Sequence, residues 1–143
     1  MESLPPVDPE WLDLRYAIMD LLQKEQRLLQ VVKLVGPDVL PQTQRLVLEV
    51  CNIFKNTFLQ QMAFDPVDTY SSARKQFLML KVIMKFYQAG DDLVKKGINV
   101  QEIKEAPVYQ EILRMRYAYP EDKLDALADF PKRIEDSLKG MSF

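Results

Sequence analysis

From Asp8 to the pair Gly36-Pro37 the chain repeats one spacing, with apolar side chains at Trp11, Leu14, Ile18, Leu21, Leu28, Val32 and Val35 mostly three or four residues apart. A period near 3.6 puts them along one side of a helix about seven turns long, and that side has to be covered by the rest of the chain. Glu25 alone breaks the spacing. Further apolar residues at Leu12, Leu22, Leu29 and Val31 widen the stripe beyond a coiled-coil seam, so the spacing predicts a bundle helix. Asp8 suits the N-cap and Pro9 the first helical position. Gly36 tolerates a left-handed cap and Pro37 cannot extend the hydrogen-bond ladder, which ends the helix there.

The same reading predicts a second helix from about Pro41 to about Gln61, with Leu46, Val47, Val50, Cys51, Phe54 and Phe58 inward and Arg45, Glu49, Asn52 and Lys55 on its polar face. A third helix, capped at Ser71 or Ser72, runs to about Lys96 and ends at Gly97. Asn99 with Glu102 reads as a capping box, and Pro107 opens a helix through about Arg116. Pro120 starts another, which Pro131 breaks or kinks while Leu124, Leu127, Phe130, Ile134 and Leu138 keep helical spacing across it. The expected fold is all-α, a bundle of three longer helices followed by shorter C-terminal ones. It forms a single domain over 9–143, with 1–8 as a loose lead-in or cloning remnant.

Composition narrows the function more by what it lacks. The 143 residues hold no histidine, one cysteine and four glycines. Without an imidazole, Ser-His-Asp and Cys-His nucleophilic chemistry have no general base. Cys51 alone cannot build a zinc site or an intrachain disulfide. No glycine-rich phosphate loop of the G-x-x-x-x-G-K-[ST] or G-x-G-x-x-G kind occurs. A net charge of −2 gives no basic excess to release counterions from nucleic acid. No apolar run approaches the length of a membrane span, so neither nucleic acid nor direct membrane insertion is expected.

Several residues invite a chemical role but read as structural from their surroundings. Asp65 and Asp68, beside Pro66 and before Thr69, suit turn or helix caps better than acid-base work. Tyr70 reads as packing, and Phe64 by itself as a loop aromatic plugging the bundle. Met79, Met84 and Met115, at helical spacing among Phe77, Leu80, Ile83 and Phe86, belong to the core. Cys51 on an apolar face reads as a small buried hydrophobe. Asp91, Asp92, Lys95 and Lys96 form a charged helix end.

The stretch Phe58 to Tyr70, FLQQMAFDPVDTY, resembles a signature near the C-terminus of the catalytic A subunit of V-type and A-type rotary ATPases, commonly written QQNAFDPVDTY. LLQKE at Leu21 to Glu25, KLVGPDVLP at Lys33 to Pro41, FYQAG at Phe86 to Gly90 and the PV-x-x-E-x-x-R-M pattern from Pro107 to Met115 occur in the family's order and spacing. The resemblance covers about Asp8 to about Tyr117 and weakens beyond Tyr119. Met62 stands where the family usually has Asn, and Ser71 where many members have Cys.

This resemblance implies the C-terminal helical domain of the catalytic subunit, without the nucleotide-binding core that holds the P-loop and magnesium ligands. It implies that Phe64 offers a stacking face to adenine, with Gln61, Met62 and Ala63 shaping the same wall, and that Asp91, Asp92, Lys95 and Lys96 lie toward the rotating stalk. It further implies partners in the upstream nucleotide-binding domain, the B subunits of the hexamer and the central stalk. ATP or ADP with Mg2+ would sit in the parent subunit, with no cofactor held by this chain. The setting implied is cytoplasmic, in the soluble sector peripheral to the membrane, coupling ATP hydrolysis or synthesis to H+ or Na+ transport. A free-standing helical protein-protein interaction module is the competing expectation.

Overall fold

The computed structural model describes residues 9–59 and 72–141. Seven α-helices account for most of them, and no strand occurs among the described residues. Helix α1 spans Pro9–Val35, α2 Gln42–Phe54, α3 Ala73–Lys95, α4 Val100–Lys104, α5 Pro107–Leu113, α6 Met115–Ala118 and α7 Leu124–Lys139. The all-α bundle expected from the spacing is what forms. The expected lead-in, 1–8, lies outside the described residues.

The local signals land where their chemistry puts them. Gly36 ends α1 with φ at +93°, a backbone conformation that residues with a Cβ rarely adopt. Ser72 caps α3, its side chain accepting a hydrogen bond from the Lys75 backbone N–H. Asn99 and Glu102 form the reciprocal capping box at the start of α4. The helix opened by Pro107 pauses at Arg114 and resumes as α6, so the reading through about Arg116 covers two short helices. Pro131 lies inside α7 and does not end it. It forfeits one backbone hydrogen bond, toward the Leu127 carbonyl, while buried Leu127, Phe130, Ile134 and Leu138 on one side hold the helix in place.

Helix α3 is the spine. Its buried residues Leu78, Met79, Val82, Ile83 and Phe86 form the centre of the core with Leu46, Val50 and Ile53 of α2. At Gly90 α3 comes close to α2: a Cβ there would lie 3.2 Å from Leu46 Cδ1, so a larger residue would force the Leu46 side chain to shift. Helix α7 runs alongside α3 in the same direction. Arg74 meets Asp125 at 3.1 Å near the two starts, and Asp92 and Lys96 share a groove with Glu135 and Lys139 near the two ends. Helices α4 to α6 carry the chain back between them, and Tyr109 of α5 lays its ring 6.0 Å from Phe86.

Two expectations about helix faces change. Of the extra apolar residues of α1 only Leu22 packs against the core; Leu12, Leu29 and Val31 are exposed, as is Val35, while Tyr16 is 70% and Leu34 84% exposed. Helix α1 packs against α2 and α3 on one side, through Ile18, Leu21, Trp11 and Leu14, and its opposite side faces away from that core. The polar face of α2 is also not uniformly solvated. The Glu49 carboxylate accepts a hydrogen bond from the Tyr109 hydroxyl and lies 3.4 Å from Lys104 Nζ, tying α2 to α4 and α5. Burial and that acceptor together push the Tyr109 phenol well above its ordinary pKa.

Candidate functional site

The residues singled out by sequence fall in two stretches of the chain, one that precedes the start of α3 and one at its end.

At the far end, Asp91, Asp92, Lys95 and Lys96 are brought together by the last turn of α3, but they are not equivalent. Lys95 Nζ lies 2.7 Å from Asp91 Oδ2. That hydrogen-bonded carboxylate raises the Lys95 ammonium above its ordinary pKa. Asp92 and Lys96 instead line a shallow groove whose other wall is Glu135, Leu138 and Lys139 of α7. The charged run therefore continues onto α7. Sequence spacing gives no sign of this, because the pairing of the two helix ends depends on their parallel packing.

At the near end, Gln61, Met62, Ala63 and Phe64 lie outside the described residues, as do Asp65, Asp68 and Tyr70. The frame on either side of them is well defined. Helix α2 passes at Lys55 into a π-helical turn, Lys55–Leu59, and Phe54 and Phe58 stack with ring centroids 4.9 Å apart. The chain enters α3 at Ser72, whose backbone N–H donates to Glu121 Oε2 at 3.2 Å. One turn on, Lys75 is 3% exposed and donates from Nζ to the Arg116 carbonyl at 2.7 Å, and the Arg116 side chain is itself buried. Lys75 stands one turn before Leu78 and Met79, so extending the apolar spacing of α3 backward marks it as an inward position.

Glu25, the one break in the α1 stripe, is 5% exposed. It faces the core because its position is dictated by the apolar residues one turn to either side, Leu21 and Leu28. Its Oε1 lies 2.7 Å from Lys55 Nζ, close enough for an ion pair without the alignment of a hydrogen bond. Beside this pair the Cys51 thiol is fully buried and donates to the Leu21 carbonyl at 3.4 Å. Desolvation, reinforced by the Glu25 carboxylate and partly offset by Lys55, pushes the thiol up to about 12. Cys51 is thus the buried hydrophobe that its helix face predicts.

A thiol held neutral in the fold ionises more readily once unfolded. Its contribution to stability is complete below about pH 9 and is lost as pH rises toward about 12. We expect Cys51 to react with a thiol reagent at pH 8 only as fast as the bundle opens, and Cys51→Ala to flatten the alkaline fall in stability. Rapid stoichiometric labelling of the folded chain would contradict this burial.

Among the described residues no three His, Cys, Asp or Glu side chains come together to hold a metal ion, and no helix is long and apolar enough to cross a membrane. These residues also supply no cluster of backbone N–H groups and cations shaped for a triphosphate. What the geometry of the described residues defines is a helical bundle domain with a charged edge at the end of α3.

The comparisons give that domain its family. A family model described as the C-terminal domain of V and A type ATP synthase matches residues 5–104, and the chain belongs to this family. It is similar to the V-type ATP synthase alpha chain of Halothermothrix orenii, at 42% identity over 130 residues, 91% of this chain and 22% of the relative. It is likewise similar to the A-type ATP synthase A subunit of Ignicoccus hospitalis, at 38% identity over 138 residues, 95% of this chain and 23% of the relative. The Thermoanaerobacter sp. (strain X514) V-type ATP synthase alpha chain is 44% identical over 135 residues, 94% of this chain and 23% of the relative. The chain thus spans somewhat under a quarter of the length of these relatives. An alignment over 95% of the chain reaches into α7, farther than the motifs that carry the resemblance in the sequence.

Proposed function

We propose that this chain is the part of a rotary ATPase catalytic subunit that closes the adenine side of the nucleotide site at one end and meets the central stalk at the other. The observation that carries the reading is the single helix α3, which follows one of the two stretches in the chain and ends in the other. The segment bearing Gln61, Met62, Ala63 and Phe64 joins α2 to the start of α3, and the charged edge of Asp91, Asp92, Lys95 and Lys96 ends the same helix. One packed spine therefore links both. Close-packed interiors pass displacement on instead of absorbing it, so a lean at the stalk end alters the position of the loop end.

In this reading Phe64 supplies a flat apolar ring for the base and Gln61, Met62 and Ala63 shape the wall around it. In this reading ATP or ADP with Mg2+ is held by the upstream nucleotide-binding domain of the same subunit. The B subunits and the central stalk are the remaining partners. The assembly hydrolyses or makes ATP in step with H+ or Na+ transport, in the cytoplasmic sector peripheral to the membrane.

Base stacking on an aromatic is worth about 1–3 kcal/mol, so in the full-length subunit Phe64→Ala should raise the nucleotide dissociation constant at least about five-fold. The fold should be retained. Equilibrium binding of a fluorescent adenine nucleotide checks this, and unchanged affinity would remove Phe64 from the site.

A further inference from the structure

Ten large apolar side chains are exposed among the described residues, and seven of them lie on α1. Singly exposed apolar residues are ordinary on a protein surface, whereas a grouped set marks a contact. Leu12, Tyr16 and Met19 are such a group. Spaced at i, i+4 and i+7, they share one line along the first turns of α1, on the side turned away from Leu14, Ile18 and Leu21. The charged residues beside them have other contacts. The Arg15 guanidinium lies 5.9 Å from the centre of the Trp11 ring, and Asp20 Oδ2 lies 3.2 Å from Lys24 Nζ. Farther along the same line come Gln23, Gln26 and Gln30, all exposed, so the line turns from apolar to polar as it leaves the start of the helix.

Size and place decide what covers this patch. Three part-exposed side chains offer a few hundred Å2, well short of the roughly 800 Å2 per partner that a stable complex between separate molecules uses. A neighbour joined by the chain itself needs far less, because the link holds it at an effective concentration in the millimolar range. The matched family is a C-terminal domain, and the shared stretch makes up 22% of one relative and 23% of another. In a subunit of that length the preceding polypeptide joins next to α1, and the apolar end of the line is the end nearest the junction. We infer that Leu12, Tyr16 and Met19 are the docking surface for the upstream domain of the same subunit, an apolar contact that also supplies an acceptor to the Tyr16 hydroxyl. The inference rests on the reading of this chain as part of a catalytic subunit, but not on the role of Phe64.

Hydroxyl-radical footprinting of this chain alone and of the full-length subunit tests the assignment. Tyr16 and Met19 should be oxidised at least about five-fold more slowly in the full-length subunit, while Met79, buried in the core, stays slow in both and reports an intact bundle. Equal rates at Tyr16 and Met19 would overturn the inference. So would protection that appears only when other subunits are added, or in this chain alone as its concentration rises, since a different subunit or a second copy would then be the occupant. Tyr16→Ser/Met19→Ser should leave the melting temperature of this chain within about 2 °C of the parent, and should lower that of the helical domain in the full-length subunit by at least about 5 °C. Equal losses in both would show that the two side chains serve the bundle and not a neighbour. If the footprint fails while Phe64→Ala weakens nucleotide binding, the docking surface falls and the adenine wall stands. If Phe64→Ala has no effect while Tyr16 and Met19 are protected, the adenine wall falls and the docking surface stands.

Discussion

Phe86→Ala should lower the unfolding free energy of this chain by about 3–5 kcal/mol, the range for removing a buried aromatic ring. Phe86 is fully buried on α3, and its ring lies beside that of Tyr109 on α5. The spine meets α2 on one side and α7 on another, so the walls of the resulting cavity belong to several helices. None of them can move inward without leaving its other contacts, which is why little of the cavity should close. For a domain of this size the loss corresponds to a fall in melting temperature of roughly 10–20 °C. Urea unfolding should show a lower midpoint with an unchanged slope. A loss below about 1.5 kcal/mol would mean that the site collapses freely and that the core is not organised around α3.

Lys55→Met should cost about 3 kcal/mol, at the lower end of what breaking a buried ion pair costs. The side chain of Glu25 is only 7% exposed and would be left without its counterion. The lower end applies because Lys55 is 38% exposed and water already reaches its side of the pair. Removing both charges in Glu25→Met/Lys55→Met should bring the chain back to within about 1 kcal/mol of the parent, since no uncompensated charge then remains. The double-mutant cycle therefore has a predicted shape, one costly single step and a nearly neutral double one. A single Lys55→Met variant as stable as the parent would show that Glu25 finds solvent or another partner.

Stability and function divide differently along this chain. The core around Phe86 serves both ends of α3, and its loss should weaken everything that depends on a stiff spine. The Glu25–Lys55 pair adds little net stability. Such a division suits a domain whose proposed work is to transmit displacement, because the spine must be rigid.

Much of the fold is legible in the sequence because its signals act within a turn or two. The glycine after α1, the serine before α3, the Asn99 and Glu102 capping box and the proline that opens α5 each satisfy or withdraw backbone hydrogen bonds locally, and each marks a boundary. The family also lies in the sequence, in the FLQQMAFDPVDTY stretch and its companions, and the match to residues 5–104 bears it out. The proposed adenine contacts come from that same stretch and lie outside the described residues. The four charged residues at the end of α3 read correctly as a helix end, whereas their neighbours on α7 leave no trace in the spacing, because they come from a separate helix.

What sequence spacing determined here is which segments become helices, where they stop and which side of most of them is apolar, since these follow from hydrogen bonding and side-chain geometry within one element. The tertiary structure decided the rest. It buried Glu25, the break in the α1 spacing, and Lys75, exposed Leu34 and Tyr16, carried α7 through Pro131 and set it parallel to α3. Each of these depends on which helices meet and at what angle. That choice is governed by the summed burial of side chains distant in sequence, a sum that no single helix contains.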